Sequence, residues 1–197
     1  MYSTILIATS TLITVVSYVV FIRSILAGQA KPHRTTRFLV MLVNIIQTAS
    51  LIFTGNTVAV WLAGTFAFSN IIIFVLSIKY GLGGWAKLDI VCLVIALLSI
   101  VIWKITYNPG IALLFAIAAD VTGFIPTIIK SYKRPETEVW LFFGIDAVAA
   151  TFNLLATKEW TITSIAFPLY IIALDVLLVL LILKPFNKLN LKFKLNG

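Results

Sequence analysis

The chain is poor in the residues that most enzymes and metal proteins depend on. Its 197 residues include one cysteine, one histidine and seven Asp and Glu. With Cys92 alone, no intrachain disulfide or cysteine-based metal site can form, and its place inside an apolar run reads as a buried structural thiol. With His33 alone, HExxH and related zinc sites are excluded. Set in a basic loop beside Lys31 and Arg34, His33 reads as a solvated loop residue. The GxSxG and Walker patterns are missing, and Gly81-Leu82-Gly83-Gly84 lacks the GK[ST] ending that cradles phosphate. The last apolar run holds no lysine between Trp160 and Lys184, which excludes a retinal Schiff base. The expectation is a protein that is not an enzyme, with no cofactor and no metal.

Charge is also scarce. Charged residues make up 11% of the chain and hydrophobic residues 61%, against about 25% and roughly 45–50% in an ordinary soluble domain. These proportions belong to a membrane protein. Apolar runs between charge and turn clusters fall at 3–27, 36–53, 57–78, 86–104, 109–131, 139–156 and 160–184, near the roughly 20 residues a span requires. Seven spans leave no room for a separate soluble domain. The first run has neither a basic region ahead of it nor a small-residue cleavage pattern, so it reads as a retained span. Strands are excluded by the length of the runs and by the cost of unpaired sheet edges in hydrocarbon.

The net charge of +8 is concentrated between the runs. Anionic lipid headgroups, and not nucleic acid, are the expected counter-charge. The first, third and fifth connections plus the tail carry thirteen cations, Arg37 and Lys130 among them, against Lys104 and Lys158 on the other side. That bias predicts an outside N-terminus and a cytoplasmic C-terminus. Trp61, Trp103, Tyr107 and Trp160 then mark one interface, and Tyr80, Trp85, Tyr132 and Trp140 the other. Residues 185–197 read as a basic cytoplasmic tail.

Two segments repeat. TFAFSNIIIF from Thr65 matches SIAFPLYIIA from Ser164 at Ala, Phe, Ile and Ile with a constant offset of 99. The loop Lys31-Pro32-His33-Arg34-Thr35 is matched in kind by Lys133-Arg134-Pro135-Glu136-Thr137. Two three-helix units of one orientation need a single crossing helix between them. The expected fold is therefore an all-α membrane protein with a first three-helix bundle at 1–80, a linker helix at 81–108 and a second bundle at 109–184.

This 3+1+3 layout, with Phe124-Ile125-Pro126-Thr127-Ile128-Ile129-Lys130-Ser131-Tyr132-Lys133 running into a basic loop and Glu136-Thr137-Glu138, resembles the SWEET and PQ-loop transporter superfamily. Such proteins carry a proline, often with a glutamine, in the first helix of each repeat. Here Thr127 follows Pro126, and Val20-Phe21-Ile22-Arg23 of the first span has no proline. The segment from Ile22 to Arg34 is also similar to an uncharacterised group of small bacterial membrane proteins. The resemblance implies alternating access between two bundles around a central site, in a bacterial or archaeal plasma membrane.

Ionisable groups at membrane depth are functional candidates. Asp120 lies ten residues before Lys130, Asp146 eight after Glu138 and Asp175 nine before Lys184, so three carboxylates share one level, one per span of the second bundle. Carboxylates that close share or hold a proton. Asn44, Gln47 and Asn70 supply amides at the same level in the first bundle. Asn70, Asp120, Asp146 and Asn44 are the expected solute-binding set, with Tyr170 placed to stack on the solute. Asp120, Asp146 and Asp175 are the expected proton-coupling set. Pro126 and Pro168 interrupt their helices and serve as gates or hinges, and Arg23 serves as an inner-gate cation or snorkels to the interface. Each polar group has the alternative role of joining neighbouring helices.

The leading expectation is a secondary transporter or facilitator of a small polar solute, with proton coupling. A small cation channel and a non-transporting receptor or assembly factor on the same scaffold are the alternatives. An intramembrane aspartyl enzyme is disfavoured, because AADVTG around Asp120 and FGIDAV around Asp146 lack the glycine-aspartate signature of such proteases. Membrane lipids and the solute are the expected partners, and the chain is compatible with a self-contained pathway or a homo-oligomer.

Overall fold

A computed structural model of the chain describes residues 2–53, 57–84, 87–106, 109–157, 160 and 162–183. Every expected apolar run is helical: α1 (Tyr2–Leu26), α2 (Arg34–Phe53), α3 (Thr57–Tyr80), α4 (Lys87–Thr106), α5 (Pro109–Lys133), α6 (Trp140–Ala156) and α7 (Ile162–Leu183), with one 3-10 turn at Pro135–Thr137. No strand occurs among the described residues. The protein is all-α. Thr4–Leu26, Ala63–Tyr80 and Ile165–Leu183 are long and apolar enough to cross a membrane by length and composition, and Trp140–Ala156 is apolar but shorter. The tail at 185–197, Trp85, Tyr107, and the side chains of Gln47, Trp61, Cys92 and Trp103 lie outside the described residues.

The interior holds many polar side chains beside its apolar core, and the exterior is largely apolar, unlike a water-soluble protein. On α1, Ser10, Thr14, Ser17 and Ser24 are buried while Leu12, Val15, Val16 and Val19 face outward. Spacings of three, four and seven put the four polar residues on one stripe. That stripe meets α6, where the Ser10 hydroxyl donates to the Ala149 carbonyl at 2.8 Å. Phe21 stacks on Phe142 with ring centroids 4.4 Å apart. Polar groups thus join helices while apolar ones cover the outside, as packing in lipid favours. Tyr132, Trp140 and Trp160 are exposed.

Neighbour relations follow a simple order. Helix α3 packs against both α1 and α2, and α7 packs against both α5 and α6. The two groups meet where α1 runs along α6 and, over a smaller area, where α2 crosses α5. Helix α4 lies outside them against α5, with a minor contact to α2. Gly123 makes the second crossing close, since a Cβ there would stand 3.2 Å from Leu39 Cβ.

One end of the molecule is closed by the segment 31–35. Its backbone binds both neighbouring connections: Lys31 N–H donates to Thr137 O at 2.9 Å, Leu82 N–H to Pro32 O at 2.9 Å and Arg34 N–H to Leu82 O at 3.0 Å. The Thr35 hydroxyl reaches Gly84 O at 2.8 Å, and Arg34 Nε reaches Ser77 O at 3.1 Å. Gly83 sits at φ +78°, and a Cβ on it would stand 2.2 Å from the His33 ring. His33 is consequently buried, which corrects the solvated reading: its ring fills the space that glycine leaves.

Candidate functional site

Beneath that closure, α2, α3, α5, α6 and α7 turn polar side chains toward a shared interior. Asp120 on α5, Asp146 on α6 and Asp175 on α7 are all buried, as are Asn44 on α2 and Asn70 on α3. All five line one small cavity, together with Tyr18 from α1 and Arg37 from α2. The cavity volume is about 30 Å³, room for about two waters. Phe66, Phe124, Phe142, Phe143 and Phe167 supply most of the apolar wall.

Two of the polar groups are held by tyrosine hydroxyls. Asn70 Nδ2 donates to Tyr18 Oη at 2.8 Å, joining α3 to α1. Tyr170 Oη donates to Asp120 Oδ2 at 3.2 Å, joining α7 to α5. Tyr170 therefore acts on the cavity through Asp120, since it is not itself among the lining residues. Asp146 Oδ1 lies 3.2 Å from Ser17 Oγ across the α1–α6 seam. Asn44 Nδ2 donates to the Val40 carbonyl one turn back, at 2.7 Å.

Arg37 was absent from the sequence-level site, where it counted among the cations facing lipid. It is instead 2% exposed. Helix α2 begins at Arg34, so Arg37 stands a full turn inside it, on the same face as Val40 and Asn44. Its guanidinium carbon lies 4.7 Å from the Phe21 ring centroid, 5.6 Å from that of Phe142 and 6.0 Å from that of Phe124. The rings contribute cation–π attraction to this buried charge. Among the described residues, no carboxylate comes within ion-pair distance of it, and its Nε and Nη2 have no hydrogen-bond acceptor.

Electrostatics tie these groups together over longer range. All three acids lie in Coulombic reach of Arg37, and Asp175 in reach of both other acids. Carboxylate charges held near one another in a low-dielectric interior repel. Arg37 offsets part of that repulsion. Three acceptor atoms remain without a donor, namely Asp120 Oδ1, Asp175 Oδ2 and Asn70 Oδ1.

Between the cavity and the closed end stands a second buried charged group. Lys130 Nζ lies 2.5 Å from Glu138 Oε1 and also donates to the Lys31 carbonyl. Both side chains are at least nine-tenths buried. Lys130, which its place near a helix end assigns to the headgroups, is internal. Nearby, the Thr127 hydroxyl meets Thr36 Oγ1 at 3.0 Å, linking α5 to α2.

The remaining candidates fall as follows. Pro126 and Pro168 are buried within α5 and α7. Arg23 is exposed and outside the cavity lining, which Arg37 joins instead. Sequence reasoning found the three acids and two amides through their rarity in apolar runs; it missed Arg37, Tyr18 and the Lys130–Glu138 pair. A signal for Arg37 was available, since Arg37 follows the α2 start by three residues and precedes Asn44 by seven, one helical face. No family model matches the chain, and no curated protein or solved structure matches it.

Proposed function

We propose that this protein is a secondary transporter of a small polar solute, driven or modulated by protons, working by alternating access between α1–α3 and α5–α7. The observation that carries the reading is the convergence of three carboxylates, two amides and one arginine on one cavity between the two groups of helices. Buried ionisable groups in a chain this apolar are costly, and a cavity at the junction of two units is where such transporters bind their solutes.

A duplicated 3+1+3 architecture supports the same reading. Exchanging α1, α2 and α3 with α5, α6 and α7 leaves the neighbour relations unchanged: α1 on α6 becomes α5 on α2. At an offset of 102 residues, Lys31 pairs with Lys133, Thr35 with Thr137, Tyr18 with Asp120 and Asn44 with Asp146. The Tyr18–Asn70 and Asp120–Tyr170 bonds then occupy corresponding places, first helix to third helix in each half. Such a pair of halves rocks about a central site. On this reading all seven α-helices span the bilayer, the closed end with Lys130 and Glu138 faces the cytoplasm, and the N-terminus faces outward, as the distribution of cations favours.

Reconstitution into liposomes tests the proposal. Uptake from a panel of sugars, amino acids, polyamines and nucleosides should saturate for at least one solute, be stimulated by that solute inside, and respond to an imposed pH gradient. Asp120→Asn should remove the response to the gradient. Unitary currents without counterflow would replace the transporter with a channel.

A further inference from the structure

We propose that the cavity binds a small zwitterion, with its carboxylate on the edge of Arg37 and its ammonium group among Asp120, Asp175 and Asn70. The inference rests on the transport reading above and names the substrate class of the same cavity.

Unmet hydrogen-bonding capacity at the site is of two kinds. Arg37 offers Nε and Nη2, neighbouring donors on one edge of the guanidinium, with no acceptor. Phenylalanine rings surround the group, and donors left on one edge of a planar fork match a carboxylate bidentately. A lysine would present a point charge without that match. Asp120 Oδ1, Asp175 Oδ2 and Asn70 Oδ1 are acceptors with no donor, and an ammonium group has three N–H donors and no acceptor. Arg37, Asn70, Asp120 and Asp175 are each at least nine-tenths buried and line the same cavity.

A single charge leaves part of the site unmet. A free anion would face three carboxylates, and a free cation would leave the Arg37 edge without an acceptor. A molecule carrying both signs places each against its opposite. It also bridges the halves, since Arg37 and Asn70 come from α2 and α3 while Asp120 and Asp175 come from α5 and α7. The room for about two waters fits a contracted site and a ligand near the size of glycine or alanine, admitted when the closed end parts.

The test uses the purified full-length chain in detergent, with thermal stabilisation as the binding readout. The probes are glycine and L-alanine, compared with ethylamine, propionate and glycerol. L-Alanine or glycine should stabilise the protein at concentrations at least tenfold below any effect of ethylamine or propionate. Arg37→Lys, which keeps the charge and loses the fork, should remove the L-alanine response while still melting cooperatively, and Asp175→Asn should weaken it about tenfold. Equal response to ethylamine or propionate, no response to either amino acid, or an undiminished response in Arg37→Lys would overturn the assignment. Radiolabelled L-alanine and glycerol in proteoliposomes separate the two readings. Saturable exchange of glycerol but not L-alanine sinks the zwitterion and keeps transport; L-alanine binding without exchange keeps the site and sinks transport.

Discussion

Lys130 and Glu138 face each other at 2.5 Å, both buried, on the two sides of the turn that links α5 to α6. Lys130 also donates to the Lys31 carbonyl, so the pair ties the second half of the chain to the loop that begins α2. Removing one partner of a buried pair leaves an uncompensated charge and costs about 3–5 kcal/mol. Glu138→Ala should therefore lower stability by about that amount, and Lys130→Met with Glu138→Gln should recover a large part of it. Thermal unfolding in detergent reads both. If Glu138→Ala melts with the parent, the pair does not hold the closed end together.

Tyr170 binds Asp120 through a single hydroxyl, and cross-helix hydrogen bonds in membranes average about 0.6 kcal/mol. Tyr170→Phe should leave the melting transition nearly unchanged while altering the pH dependence of solute uptake, because Asp120 loses the hydroxyl that donates to it. Tyr18→Phe, which frees Asn70 on the other side, should be equally mild in stability. A large loss of stability in either variant would assign these tyrosines to packing.

Gly123 sets the spacing between α5 and α2. Gly123→Ala brings Cβ to 3.2 Å from Leu39 Cβ, a contact that a shift of a few tenths of an ångström relieves, so its cost should stay below about 1 kcal/mol. Gly123→Ile overpacks the crossing and should cost about 1–3 kcal/mol. Equal melting of the two variants would show that the helices part freely there.

Gly83→Ala meets two obstacles, a left-handed φ of +78° and the His33 ring at 2.2 Å from the new atom. Left-handed geometry alone costs a non-glycine residue about 1–2 kcal/mol. The combined loss should exceed that, and His33→Ala in the same chain should restore part of it, a coupling read by a double-mutant cycle. Additive losses would place His33 outside the contact.

The helices were legible in the sequence because an apolar run bounded by charges leaves little choice of structure, and each observed boundary falls within two residues of the expected one. Asp120, Asp146 and Asp175 were legible for a related reason: acids are so scarce in such runs that their depth alone brought them to one level. Arg37 and Lys130 were not. A cation near a helix end reads as facing headgroups, and whether it turns inward depends on which neighbour covers it. The phenylalanines around Arg37 come from α1, α5 and α6, contacts that no local pattern encodes. His33 was misread in the same way, since its cover is a glycine fifty residues later.

The two seams between the halves are unequal. Along α1 and α6 run the Ser10–Ala149 bond, the Ser17–Asp146 contact and the Phe21–Phe142 stack; α2 and α5 meet over less surface, at Gly123 and the Thr36–Thr127 bond. A shell glued more firmly on one side swings open on the other, like a book on its spine. Spin labels on α2 and α5 should therefore separate farther during turnover than labels on α1 and α6.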